Sequence, residues 1–334
     1  MNRLHIAFLA ACAGFLANPS SAQRLPPMMS AAPQLVQMQA VFLRRHQERT
    51  QLYREALEEL KKNPRAADYR ECQPGAAAGA CAPAARAAIL PGAGASPLTR
   101  RRVALLIGNS DYTDPIPALE TPARDVARVA EILRTRFGYE TQILQDASKA
   151  DIARALNRLA AEVTVEDSVL IFYAGHGYLL DDNNMGYWLP VDASVNTAAN
   201  WISNADIAKF LSAVPARQMI LVSDSCYSGT LTREFRVAAA EKLDPGEVLR
   251  KRSVLVLTSG GEEPVSDEGK DGHSVFAWSL IRALDGTTVL APGAQIFASV
   301  RDAVSKEFPQ TPQYGAAVSA GHVPGGEYLF QPAR

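Results

Sequence analysis

Beyond residue 100 the chain carries four unbroken apolar runs, at residues 103–107, 169–173, 219–222 and 254–257. Short runs without polar alternation predict parallel strands covered on both faces. Between them the period changes to that of a helix. Val126, Val129, Ala130, Leu133 and Phe137 share one helical face, with Thr121-Pro122 as a start and Gly138 as a stop. Ile152, Ala155, Leu156, Leu159 and Val163 form a second face behind Ser148 and Asp151, which have capping-box spacing. Phe276, Leu280, Ala283 and Leu284, then Ile296, Val300, Ala303 and Val304, predict two more amphipathic helices. Strands alternating with helices imply an α/β domain over residues 100–331: a doubly wound, mainly parallel sheet flanked by helices.

The first hundred residues are patterned differently. Arg3 precedes a mostly apolar run over residues 4–17, and Ser20, Ser21 and Ala22 supply small residues for processing. Residues 1–22 are therefore expected to be a signal peptide, and the protein to be secreted or periplasmic. Leu9-Ala10-Ala11-Cys12 also has the form of a lipoprotein processing box, a weaker fit because cleavage there leaves a very short apolar region. Over residues 23–70, Leu35, Met38 and Phe42, then Leu52, Ala56 and Leu60, recur at helical spacing until Pro64. This predicts a helical extension that docks on the main domain, pairs with another chain or stays solvated. Residues 71–99 are dominated by Ala, Gly and Pro and read as a linker, since they cannot bury enough surface to offset ordering entropy. Cys72 and Cys81 flank part of it, and in an oxidising compartment they either pair or stay as two thiols.

Composition narrows the function classes. Apolar residues make up 47% of the 334, enough for a sizeable core, while the net charge of −1 gives no field to attract nucleic acid or an anionic membrane. No later segment approaches the roughly 20 apolar residues of a spanning helix, so no permanent membrane span is expected. Four cysteines are too few for a disulfide scaffold.

Ligands of an open parallel sheet bind outside the carboxyl ends of its strands. There the sequence places Gly108-Asn109-Ser110-Asp111-Tyr112, Ala174-Gly175-His176-Gly177 and Ser223-Asp224-Ser225-Cys226, with Asp125 in the first turn of the first helix. His176 and Cys226 thus occupy equivalent places on two strands, and an imidazole beside a thiol makes it a nucleophile. Gly175 and Gly177 are expected to let the backbone approach a substrate, and the N–H groups of Gly177 and Cys226 to form an oxyanion hole. The bland alternative makes Cys226 an inert thiol and His176 a core histidine. No phosphate-binding glycine motif follows Gly108. His5, His46, His273 and His322 give no metal-ligand set with Cys226 and are expected at the surface.

Arg102-Val103-Ala104-Leu105-Leu106-Ile107-Gly108-Asn109, Tyr173-Ala174-Gly175-His176-Gly177, Asp224-Ser225-Cys226-Tyr227-Ser228-Gly229 and Gly272-His273-Ser274-Val275-Phe276 together resemble the caspase-like cysteine peptidases, in their metacaspase and bacterial branch. The resemblance implies a His176–Cys226 dyad that hydrolyses peptide bonds through an acyl-enzyme. It also implies an acidic pocket, with Asp125 and Asp224 selecting Arg or Lys before the scissile bond; a helix-dipole partner is the alternative role for Asp125. Relatives often have Ser where this chain has Ala174, so one pocket hydroxyl is missing. Many metacaspases need calcium, and Asp181, Asp182, Asn183 and Asn184 form either a weak calcium loop or a solvated turn. No other cofactor is expected, and Asp192 is expected to be structural. Arg100-Arg101-Arg102 and Arg250-Lys251-Arg252 are candidate self-processing sites. The rival from another class is an idle caspase-like module that binds peptides without turnover.

Overall fold

The computed structural model describes residues 98–180, 185–225, 235–236, 244–260 and 269–333, with scattered positions between 44 and 62. Residues 1–22, expected as a signal peptide, residues 71–97 with Cys72 and Cys81, residues 181–184 and Cys226 lie outside the described residues. Every described position between 44 and 62 is helical and most point outward, Leu52 at 61% exposure.

The strands are β1 (Arg102–Gly108), β2 (Glu140–Gln145), β3 (Ser168–Ala174), β4 (Gly177–Leu180), β5 (Met185–Trp188), β6 (Ile202–Ser203), β7 (Gln218–Asp224), β8 (Phe235–Arg236), β9 (Ser253–Thr258), β10 (Ala291–Pro292), β11 (Gln313–Ala316) and β12 (Leu329–Phe330). The helices among them are α1 (Pro122–Phe137), α2 (Lys149–Glu162), α3 (Asn204–Ala213), α4 (Pro245–Arg250), α5 (Val275–Asp285) and α6 (Gly293–Glu307). The main sheet has seven strands in the order β2-β1-β3-β7-β9-β11-β8. Its first five strands are parallel, and β11 and β8 add antiparallel to one side.

The four apolar runs became β1, β3, β7 and β9, and their side chains alternate between two cores. Leu106, Phe172 and Val222 pack with α1, α5 and α6, whereas Leu105, Ile171 and Leu221 pack with α2 and α3. Burial of each such side chain stabilises the fold by roughly 1.5–3 kcal/mol. The capping box of α2 forms as its spacing implies, with Ser148 accepting from the Asp151 backbone. Thr121 differs: it stands in helical conformation and makes no side-chain cap, so Pro122 alone marks the start.

Of the histidines expected at the surface, His322 is buried and His273 is half-buried. His322 Nδ1 accepts the Val254 N–H at 3.2 Å, while His273 is engaged by Asp125. Asp192 is structural, accepting the first N–H of α2 from Lys149 at 2.9 Å.

Candidate active site

The register of the three central strands brings the loop starts together: Gly108 pairs with Ala174, and Ala174 with Asp224. Asn109 N–H donates to the Ala174 carbonyl and Gly175 N–H to the Asp224 carbonyl, so the ladder runs one step into the loops. Crowding alone demands glycine at 175, because a Cβ there would lie 2.8 Å from the hydroxyls of both Tyr112 and Tyr173. Ala174 itself is buried in the core beneath α1.

His176 is 9% exposed and fixed on three sides. Its backbone N–H donates to Tyr112 Oη at 2.9 Å, its carbonyl accepts from Tyr173 Oη at 2.9 Å, and its ring lies 4.7 Å from the Tyr112 ring. Burial pushes the Tyr112 phenol up, so it stays a donor and gives its proton to the Leu189 carbonyl at 2.9 Å. The decisive contact is from His176 Nε2 to the carbonyl oxygen of Pro117, 2.8 Å away. A carbonyl only accepts, so Nε2 carries the hydrogen and the neutral ring keeps its lone pair on Nδ1. Pro117 has no side-chain signature for this role, and sequence reasoning missed it.

At the neighbouring strand end, Ser225 is buried and held in place up to the residue before Cys226. Its hydroxyl meets Ser223 Oγ at 3.1 Å, which in turn accepts from Trp188 Nε1 at 3.0 Å. Ser259 Oγ donates to the Ser225 carbonyl at 3.4 Å.

Asp125 and Asp224, singled out from the sequence as one pocket, converge on the turn that begins α5. Ser274 Oγ donates to Asp224 Oδ2 at 2.5 Å, and its backbone N–H donates to Asp125 Oδ2 at 3.3 Å. His273 Nδ1 lies 2.7 Å from Asp125 Oδ1. Two buried carboxylates at a helix N-terminus benefit from its unpaired N–H groups and positive dipole end. Neither His273 nor Ser274 was assigned to this site from sequence, although both lie in the quoted Gly272–Phe276 stretch. Among the described residues no cluster of three metal-ligating side chains is present, and no helix is long and apolar enough to cross a membrane.

Four arginines of the basic runs are built into the framework. Arg100 makes a two-point pair with Asp167, Arg101 pairs with Glu140, and Arg102 sits inside β1 with its guanidinium on the Phe137 and Gln331 carbonyls. Arg252 donates to four carbonyls, those of Leu211, Val214, Ala216 and Ala320.

Known proteins resemble part of the chain. Metacaspase-1B of Aspergillus niger is 30% identical over 213 residues, 57% of this chain and 47% of that protein. Mucosa-associated lymphoid tissue lymphoma translocation protein 1 of Homo sapiens is 32% identical over 97 residues, 29% of this chain and 11% of that protein. Metacaspase-4 of Arabidopsis thaliana is 28% identical over 154 residues, 41% of this chain and 36% of that protein, so the chain spans less than half of these relatives' lengths. Caspase-1 from Spodoptera frugiperda shares the fold, with a TM-score of 0.52 and 11% identity over 70% of this chain and 91% of that one. The model of the caspase domain matches residues 101–320, more than half of the chain. With the parallel sheet and its aligned loop ends, this match shows that the chain belongs to the caspase-domain family of cysteine peptidases.

Proposed function

We propose that the protein is a cysteine endopeptidase that cleaves after Arg or Lys, with Cys226 as nucleophile and His176 as its base. The observation that carries this reading is the His176 Nε2–Pro117 contact, which leaves Nδ1 as the basic nitrogen. Nδ1 takes the thiol proton, and the thiolate attacks the peptide carbonyl carbon. The N–H groups of Gly177 and Cys226 stabilise the oxyanion. The C–N bond then breaks and the imidazolium returns its proton to the leaving amine. Water, deprotonated by the same nitrogen, releases the acyl group and restores the thiol.

Specificity follows from Asp125 and Asp224. Two carboxylates on one turn repel each other, and a guanidinium or ammonium placed beside them relieves that repulsion, whereas an acidic side chain is rejected.

Self-processing, on this reading, falls after Arg250. Arg100, Arg101, Arg102 and Arg252 are engaged in folded contacts, while Arg250 ends α4 with a 69% exposed side chain paired, among the described residues, with its near neighbour Glu247. New chains beginning at Lys251 are expected in wild type and absent in Cys226→Ala. Export rests on residues 1–22, and calcium activation on Asp181 to Asn184. The test is a peptide panel with Arg, Lys, Asp or Ala before the cleaved bond, with and without calcium, on wild type and Cys226→Ala. Turnover of the Arg and Lys peptides by wild type alone is expected. Turnover of Asp peptides only refutes the acidic pocket, and peptide binding without any turnover favours the idle module.

A further inference from the structure

The turn that joins the two carboxylates carries a titratable ring. Gly272 has a φ of +79°, and a Cβ there would meet Arg124 Nη1 at 2.6 Å, so the turn closes only with glycine and delivers His273 onto α1. His273 Nδ1 then reaches Asp125 Oδ1 at 2.7 Å. Because a carboxylate oxygen only accepts, Nδ1 carries the hydrogen of the neutral ring. The Asp125 side chain is 1% exposed and that of His273 is 18% exposed, so the imidazole is the side of this contact that solvent protons reach.

We propose that His273 is a specificity-determining residue of this site: a proton on its ring and the cationic side chain of a substrate compete for the Asp125 carboxylate. The inference rests on the Arg/Lys reading above. With a neutral ring, His273 donates a hydrogen bond to Asp125 but brings no positive charge, so the negative charges of both Asp125 and Asp224 act on an incoming cation. With an imidazolium, one of the two charges is already matched, and the substrate cation faces a like charge. The groups facing the ring are Asp125, Arg124 and Arg128 from α1, Asp271 from its own turn, and Asp224 from β7 by way of Ser274. Burial and the charges of Arg124 and Arg128 hold the imidazole below its ordinary value, against the opposing pull of Asp271. The site is thereby open to cations at neutral pH and closes in acid.

Reciprocity makes the proposal measurable without turnover. Binding of acetyl-arginine amide to Cys226→Ala protein is measured by calorimetry at about pH 5 and pH 7.5. Affinity is expected to fall about fivefold or more at the lower pH. In the Cys226→Ala, His273→Asn double variant, whose amide still donates to Asp125, the change should be under about twofold. In the protein that retains His273, saturating ligand should lower its imidazole pKa, read by proton NMR, by the same factor; this needs no His273 variant to fold. Equal pH dependence with and without His273, or no binding at either pH, overturns the proposal. Wild-type hydrolysis of Arg peptides with a KM whose pH profile ignores His273→Asn overturns it while leaving the peptidase reading intact. A His273-dependent affinity in a protein that hydrolyses nothing does the reverse.

Discussion

Tyr112 shows how much of the candidate chemistry depends on a buried residue outside the proposed dyad. Its hydroxyl accepts the His176 N–H, donates to Leu189, and its ring supports the imidazole face. Tyr112→Phe removes both hydrogen bonds and leaves the His176 N–H buried without its acceptor. The expected cost is about 1–3 kcal/mol of stability, read from urea denaturation, and a lower kcat through a less well-placed imidazole. His176 itself, and Asp125 and Asp224, were legible from sequence because strand ends and helix starts fix where such residues fall. Tyr112 was visible only as a neighbour of Gly108, since its partner stands 64 positions away. Pro117 acts through its backbone oxygen and left no residue-type signal. His273 was read as a plain surface residue because an isolated histidine in a loop carries no pattern that shows its contact with Asp125.

At the scale of elements, the buried strands and long helices announced themselves, and the short or exposed ones did not. β2 is Glu-Thr-Gln-Ile-Leu-Gln, an edge strand with mostly exposed positions, and its polar residues blur the apolar run. β4, β5 and β6 form a small antiparallel sheet of two to four residues each, and β8 and β11 pair across distant sequence. Such pairings depend on nonlocal register, which periodicity does not carry. Arg252 was read from sequence as part of a cleavage site, yet it ties the carboxyl end of α3 to the start of β9 and to Ala320. Burial lowers its pKa without removing its charge, so it remains a donor to all four carbonyls. Arg252→Met is expected to destabilise the domain by about 1–3 kcal/mol, seen as a lower urea midpoint with an unchanged m-value. A midpoint equal to wild type would show that water replaces these bonds.

Across the whole molecule, the carboxyl-terminal segment closes the edge of the fold opposite the candidate site. Tyr328 Oη meets Tyr139 Oη at 2.6 Å and accepts from Ser168 Oγ at 3.0 Å, while Glu327 accepts from Tyr314 Oη at 2.5 Å and from the Tyr328 N–H at 2.8 Å. Burial outweighs these donors and pushes the Glu327 carboxyl up to about 7 from an ordinary 4.5. The native state therefore holds a proton that the unfolded chain gives up. The resulting stabilisation is fully present below pH 4.5 and is lost as pH rises through about 7. Thermal midpoints of wild type are expected to fall relative to Glu327→Gln between these pH values, and parallel curves would contradict the assignment. The same folding framework aligns the two strand ends on which the proposed dyad depends. The most direct test of that dyad is the pH dependence of Cys226 alkylation by iodoacetamide, followed by mass spectrometry of its peptide in wild type and His176→Ala. The account predicts a wild-type thiol that reacts well below the ordinary pKa of about 8.5 and returns to that range in the variant. Identical profiles in the two proteins would contradict it.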